Sequence, residues 1–313
     1  MECKDYLCRV KLQYAGLPFR AVMMEKRIYD IDTIPLCNNF FAGKTGHPLV
    51  SVISPGDKPH EGLFRFGFYA VLLNEKGGCR CSGWKECDFS AGIMTFMTPG
   101  SPFCMETWSG GSCTMLLFHP DIMRGAAKSL HRHTFFRYRK DEALHLSARE
   151  TAVMKECLEN IRQDIVWSVD EFSQTIIAER IGLLLDYGDR FYKRQFITRH
   201  ERNAEALESL QNFLDKYFLS GQAVGKGLPD PAGTARIMGM SAAYLSDMLE
   251  EETGKDIKEF IRYRQFSAAC SQLERTGKSI EEISRETGYR SAECFCDIFM
   301  KVTGKAPRES GRK

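Results

Sequence analysis

The side chains best equipped for chemistry in this sequence are thiols and imidazoles. Twelve cysteines are spread over 313 residues, and the tightest group, Cys79-x-Cys81 with Cys87 nearby, offers three soft metal ligands. A zinc site asks for a fourth Cys or His at close spacing, which is missing here, so the group reads as loop thiols. Oxidation sensing by these cysteines, or by Cys294 and Cys296, would need a lowered thiol pKa that a sequence does not display. His131 and His133 alternate as strand ligands would, but the run from His131 to Arg137 carries no carboxylate at metal-enzyme spacing. A cationic patch or a buried, hydrogen-bonded histidine is the expectation there. Gly43-Lys44-Thr45 lacks the preceding glycine of a phosphate loop, and a nucleophile elbow is absent. These patterns predict no enzyme, no catalytic metal and no cofactor.

Bulk properties narrow the remaining classes. Hydrophobic residues make up 43% and charged residues 27%, which is ordinary for a soluble globular protein and excludes disordered and collagen-like classes. No apolar run reaches the roughly 18 to 20 residues of a membrane helix, and Met1 leads into Glu2-Cys3-Lys4-Asp5 rather than a basic and then apolar leader. The expectation is a cytoplasmic chain, without a membrane, whose thiols stay reduced. A net charge of +2 provides no long-range attraction for a polyanion. A chain of this length predicts about two domains.

The elements that must position any site fall into two textures. From about Phe40 to His119, short apolar or alternating runs (Leu49 to Ile53, Leu63 to Leu73, Ile93 to Met97, Thr114 to Phe118) are broken by Gly, Pro, Asn and Ser, predicting a β-sandwich or small barrel. Phe64, Phe66 and Phe68 alternate there, with Trp84, Phe96 and Phe103 nearby in sequence. They read either as ordinary core or, for Phe64, Phe66, Phe68, Trp84 and Phe96, as the wall of a small-molecule effector pocket. Beyond Pro120 the spacing becomes helical, first around Ser147 to Val166 (Val153, Cys157, Leu158, Ile161) and then from Glu171 to Tyr192 (Ile176, Ile177, Ile181, Leu184, Leu185). Such helices cover the β domain's open face or form a dimer seam. The charged stretch Tyr192 to Asn203 is the linker candidate, and Leu207, Leu210, Leu214 and Tyr217 open an all-helical region.

Two segments in that region share one plan. Pro231 to Thr253 places Ala235, Ile237 and Met238 inward, turns at Gly239-Met240-Ser241, and packs Tyr244, Leu245, Met248 and Leu249. Ser279 to Thr303 places Ile280 and Ile283 inward, turns at Gly288-Tyr289-Arg290-Ser291, and packs Phe295, Ile298, Phe299 and Val302. Each closes on Thr-Gly-Lys, at 253–255 and 303–305, an internal duplication 50 residues apart. Ser241 and Ser291 suit helix N-caps, Gly254 and Gly304 suit left-handed C-terminal positions, and Asp256 to Arg275 suits one connecting helix of about 30 Å. That length sets two second helices about one DNA turn, roughly 34 Å, apart.

The segment Tyr244 to Lys255, with Ser279 to Tyr289 and the closing Phe299 to Pro307, resembles the AraC/XylS family of transcription regulators over residues 203–313. Tyr217 to Gln222, through Gly227-Leu228-Pro229, resembles a Bacteroidetes-type branch of it. The resemblance implies an α+β chain: a β-rich, cupin-like sensing and dimerising domain with trailing helices at 1–195, then an all-α unit at 203–313 with two helix-turn-helix motifs. It implies double-stranded DNA as partner, a small-molecule effector, a homodimer, and RNA polymerase if the chain is an activator.

Several positions depart from that family. The first recognition helix carries Asp247, Glu250, Glu251 and Glu252, the second Glu293 and Asp297; Gln265 and Gln272 replace apolar residues of the connecting helix, Cys294 and Cys296 an aromatic-containing pattern, and Ser310 a terminal aromatic. Residues 228–313 hold six Lys and eight Arg against four Asp and ten Glu, a net of zero. Because phosphate neutralisation supplies most non-specific affinity, DNA binding then depends on clustering of Arg236, Arg262, Arg264, Arg285, Arg290 and Lys301. The expected DNA-facing residues are Arg236, Ser241, Ala242, Ala243, Ser246 and Glu250 in the first motif. In the second they are Arg285, Arg290, Ser291, Ala292, Glu293, Cys296, Met300 and Lys301. The competing reading is a relative that has lost DNA and binds a protein instead.

Overall fold

The computed structural model describes residues 28–41, 43–55, 62–75, 82–104, 113–124, 129–167 and 170–307. The chain divides into two compact units that interleave in sequence. One comprises Met1–Cys81, Ser90–Leu130 and Leu146–Leu184, the other Ser82–Phe89, His131–His145 and Leu185–Lys313.

The first unit is sheet-rich. Its elements are β1 (Ile28–Ile31), α1 (Ile34–Phe40), β2 (Val50–Ile53), β3 (Leu63–Phe66), β4 (Tyr69–Asn74), β5 (Gly92–Met97), β6 (Pro102–Cys104), β7 (Cys113–Phe118) and α2 (Ala148–Val166). One sheet has the order β1-β3-β6, with β1 parallel and β6 antiparallel to β3. In the other, β2, β7, β4 and β5 lie side by side and antiparallel. Ile31, Phe64, Phe66 and Phe103 from the first sheet share a core with Ile53, Leu72, Met97, Met115 and Leu117 from the second. The opposite-facing Val71, Leu73, Leu116 and Phe118 are buried as well. Burial on both faces is why β4 and β7 read as continuous apolar runs instead of alternating ones.

The run from Leu63 to Leu73 splits into two strands at Gly67. A Cβ at Gly67 would stand 2.7 Å from the Asp32 carbonyl oxygen, while the Gly67 amide donates to Ile31 O at 2.9 Å. Only glycine admits so close an approach of two backbones. Ser147 caps α2 in a reciprocal box with Glu150. The stripe on α3 (Ser173–Thr198) runs through Ile177, Ala178, Ile181, Leu184 and Leu185. Ile176, expected in that stripe, is instead 47% exposed, because it lies one residue, about 100° of helix, off the packed face.

The second unit is helical. Its two short excursions, Ser82–Phe89 and His131–His145, include tight turns at Thr134–Arg137 and Lys140–Glu142 and most of β8 (Leu144–Leu146). It continues with the second half of α3, then α4 (His200–Leu219), α5 (Pro231–Ile237), α6 (Ala242–Thr253), α7 (Ile257–Arg275), α8 (Ile280–Glu286) and α9 (Ala292–Thr303). The charged stretch expected as a linker is helical except at Arg199, and three of its polar side chains, Gln195, Arg199 and Asn203, are buried in the fold. Gln195 is buried, accepting from the His145 amide at 2.7 Å and donating to Ala143 O at 3.1 Å. Among the described residues no helix is long and apolar enough to cross a membrane.

A candidate nucleic-acid interface

The duplicated plan is realised as a seven-residue helix, a turn containing a left-handed glycine, and a twelve-residue helix, once as α5–α6 and again as α8–α9. Ser241 Oγ accepts from the Tyr244 amide at 3.1 Å, and Ser291 Oγ from the Cys294 amide at 3.2 Å. Gly254 and Gly304 close the long helices at φ 70° and 72°. The 19-residue α7 joins the pairs, with Asp256 and Glu259 forming its capping box.

Two residues expected to point inward do not. Ile237 is 63% exposed, because the short α5 packs through Thr234 and Ala235. Val302 is 64% exposed, outside the cluster that Phe295 and Phe299 form with Ala269 and Ile283. Gln265 and Gln272 are buried in α7 as the sequence pattern suggested; Gln265 Nε2 donates to Thr287 O at 3.0 Å, while Gln272 Oε1 has no partner among the described residues.

Of the expected DNA-facing residues, Arg236 and Glu250 are exposed and Ala242 and Ala243 half-buried. Ser246 is half-buried and its hydroxyl accepts from the Ile257 amide at 3.4 Å, which ties it to the start of α7. In the second pair Arg285, Arg290, Ser291, Glu293, Met300 and Lys301 are exposed, while Ala292 and Cys296 are half-buried. A hydrogen bond from Ser291 holds the Glu293 carboxyl below its usual range. Arg262 is exposed, whereas Arg264 is taken by an ion pair with Asp215.

Two of the four acidic side chains of α6, Asp247 and Glu252, have partners the sequence did not announce. Tyr138 OH donates to Asp247 Oδ2 at 2.6 Å, and the Thr134 hydroxyl donates to the same oxygen. Glu252 accepts from Asn203 Nδ2 at 2.9 Å and meets His200 Nδ1 at 2.8 Å. Arg139 Nη1 donates to Gly239 O at 2.7 Å, and Glu142 Oε1 accepts from the Ser241 amide at 2.7 Å. Behind α6, the buried Arg199 guanidinium holds both oxygens of Asp88, at 2.6 and 2.8 Å, and donates to Tyr244 OH at 2.9 Å. The only sequence hint was a tyrosine in the first turn of a helix otherwise packed by Leu and Met.

A cavity of about 520 Å³ lies beside this contact, lined by Arg132, Tyr138, Lys193, Asp247, Glu250 and Glu251 among others. Next to it stands His133, in a stretch of tight turns, buried while His131 is exposed. His133 Nδ1 meets Asp189 Oδ2 at 2.8 Å, and with Asp186 these groups lie within 4.8 Å of one another. The carboxylates missing from the local sequence arrive from α3, more than 50 residues away. Arg132 bonds Asp186 and stands 3.8 Å from Asp189, so an internal guanidinium already balances them.

The aromatic residues considered for an effector pocket sit apart. Phe64, Phe66 and Phe68 stack in the first unit's core with ring centroids 6.4 and 5.2 Å apart, and Phe96 is buried on β5. Trp84 belongs to the second unit, where its indole nitrogen is buried with no hydrogen-bond partner among the described residues. Burial pushes the Cys37 thiol up to about 12 and the Cys270 thiol up to about 11, away from redox reactivity. Cys79, Cys81 and Ser310 lie outside the described residues, and Cys87 is exposed.

Residues 234–313 match a family model described as a helix-turn-helix domain. No curated protein matches the chain. Among solved structures, the chain is similar to the xylose-binding transcription activator XylR at 26% identity, over 34% of this chain and 26% of that one, with a TM-score of 0.31. It thus spans about a quarter of that activator's length. It is also similar to the carboxy-terminal domain of AraT, a response regulator from Geobacillus stearothermophilus, at 23% identity over 34% and 84% of the two chains with a TM-score of 0.29. Similarity to ToxT from Vibrio cholerae extends over 84% of this chain and 97% of that one, at 12% identity and a TM-score of 0.30.

Proposed function

We propose that this chain, whose residues 234–313 match a helix-turn-helix family model, is a sequence-specific DNA-binding transcription regulator of the AraC/XylS type and not an enzyme. The observation that carries this reading is the repeated helix pair on one rigid helix. At 1.5 Å per residue the 19 residues of α7 extend about 28 Å, close to the roughly 34 Å between successive major-groove faces. In this reading both pairs are helix-turn-helix motifs, and α6 and α9 are their recognition helices. Arg236, Ser241, Ala242, Ala243, Ser246 and Glu250 serve one half-site. Arg285, Arg290, Ser291, Ala292, Glu293, Cys296, Met300 and Lys301 serve the other. Arg290, exposed at the turn into α9, is the candidate for a guanine edge or a phosphate.

The proposal extends to domain roles: 203–313 as the DNA-binding domain and 1–195 as a cupin-like sensing and dimerising domain that takes a small-molecule effector. RNA polymerase is the further partner if regulation is positive. The test is selection of bound sequences from a random double-stranded pool at two salt concentrations. Recovery of a motif with two half-sites, with affinity falling steeply as salt rises, supports the reading. Recovery of nothing above background at low salt refutes it.

One observation favours the alternative of a relative that binds protein instead: α6 exposes Glu250 and Glu251, and residues 228–313 carry no net charge. If that alternative holds, Glu250→Lys with Glu251→Lys creates non-specific DNA retention where the parent has none.

A further inference from the structure

Resting on the reading that α6 faces DNA, we infer that the segment from Thr134 to Glu142 is a built-in clasp that masks the first helix pair until it is released. The segment grips the pair at three separated points. Arg139 holds the carbonyl of Gly239 in the turn, Glu142 holds the amide of Ser241 just ahead of α6, and Tyr138 with Thr134 holds Asp247 one turn further on. Gly239, Ser241 and Asp247 bracket Ala242, Ala243 and Ser246, the residues expected to approach base edges. The Tyr138 ring reinforces the grip by packing edge-on against Tyr244 at 5.2 Å.

Charge makes the contact and DNA mutually exclusive. DNA docked on a recognition helix brings phosphate oxygens to the turn and to the first backbone amides of that helix. Glu142 already places a carboxylate there, 2.7 Å from the Ser241 amide, and like charges do not share a donor. Asp247 accepts from two hydroxyls that belong to the clasp, Tyr138 and Thr134, which pins this side of α6 against the segment.

The grip is also built to open. It rests on a few hydrogen bonds and the Tyr138 ring, and the Arg139 side chain that makes one of those bonds is 48% exposed. Beside it lies the open cavity of about 520 Å³, while Phe135 and Tyr138 pack on Tyr192 at the segment's other contacts. Tyr138 and Thr134 would give up Asp247 without breaking the Arg199–Asp88 pair behind Tyr244. The first pair therefore keeps its fold when the clasp leaves.

The experiment uses the full chain and the DNA fragment recovered by pool selection. The double variant Tyr138→Phe, Arg139→Ala keeps the ring packing and removes two of the grips. It is expected to bind the fragment about tenfold more tightly than the parent, since two hydrogen bonds together are worth about that factor. In parallel, hydrogen exchange in the parent is expected to rise in peptides spanning 134–142 when the fragment is added. Affinity unchanged or weakened in a folded variant overturns the clasp. If the variant does not fold, the parent's exchange decides: protection of 134–142 that persists in the DNA complex overturns it equally. Retention of no DNA by parent or variant at low salt refutes instead the DNA-binding reading on which the inference stands.

Discussion

The two helix pairs of the second unit have the same local grammar and different support. Each begins from a short helix, turns on a left-handed glycine, caps its long helix with serine and ends it on a left-handed glycine. The pair α8–α9 builds its core from nearby sequence: Ile283, Phe295 and Phe299 close on Ala269, flanked by Phe266, Cys270, Leu273, Ile280 and Tyr289. The pair α5–α6 borrows from far away, with Arg199, Asp88, Tyr138 and Glu142 completing the surroundings of Tyr244, Asp247 and Ser241. A duplicated sequence thus yields two pairs with apolar cores, Leu245, Met248 and Leu249 in one and Phe295 and Phe299 in the other, of which the first also draws on long-range polar contacts.

The largest effect that would test this contrast comes from Asp88→Ala. It leaves the buried Arg199 guanidinium without its carboxylate, and breaking such a pair costs about 3 to 5 kcal/mol. Urea unfolding should show that loss, and hydrogen exchange should rise in α6 while α9 stays protected. Equal deprotection of both long helices would erase the distinction between the pairs.

A pH dependence follows from the same region. His145 is fully buried, and desolvation, outweighing the Asp88 charge, lowers its pKa to about 4 from an ordinary 6.5. The unfolded chain therefore takes up a proton on His145 that the folded chain refuses. Stability is complete above about pH 6.5 and declines as pH falls toward 4, by up to roughly 3 kcal/mol. The midpoint of urea unfolding, followed from pH 7 to 4.5, should fall more steeply in the parent than in His145→Gln. Parallel profiles would remove His145 as the cause.

A smaller change isolates the link between Arg199 and the first pair. Tyr244→Phe deletes the hydroxyl that Arg199 holds at 2.9 Å but keeps the ring that packs on Tyr138 and Phe196. A hydrogen bond to a charged partner is worth about 1.5 to 3 kcal/mol, and that is the loss expected in urea unfolding. No measurable loss would mean that Asp88 alone satisfies the guanidinium.

What could be read in the sequence follows the range of the interactions. Helix capping and turn glycines act within four residues, so Ser241, Ser291, Gly254 and Gly304 were legible, as was the duplication they punctuate. The strand runs were legible for the same reason, except at Gly67, where the approach of Asp32 backbone decides the break. Long-range polar pairing left no periodic trace. The stretch from Tyr192 to Asn203 looked like a solvated linker because the acceptors of its polar groups, Asp88, Ala143 and His145 among them, are distant in sequence. The acidity of α6 looked like a defect for the same reason. Asp247 lies 109 residues from Tyr138, and no window of helical length contains both.

The finest comparison between the pairs lies in their caps. Ser241→Ala and Ser291→Ala each remove one side-chain acceptor from a helix start, and each change in isolation costs about 1 kcal/mol. The surroundings differ, however. Glu142 holds the amide of Ser241 and Arg139 the carbonyl of Gly239, so the first turn of α6 keeps two anchors when its hydroxyl is lost. Ser291 is exposed at the start of α9, where its hydroxyl accepts from the Cys294 amide and, among the described residues, no side chain from a distant segment joins it. Ser291→Ala should therefore cost close to the full amount, and Ser241→Ala only about half, by urea unfolding of the full chain. Opening the clasp with Tyr138→Phe, Arg139→Ala should raise the cost of Ser241→Ala to that of Ser291→Ala. If the two caps cost the same with the clasp in place, it contributes nothing to the start of α6, and the pairs differ only in their cores.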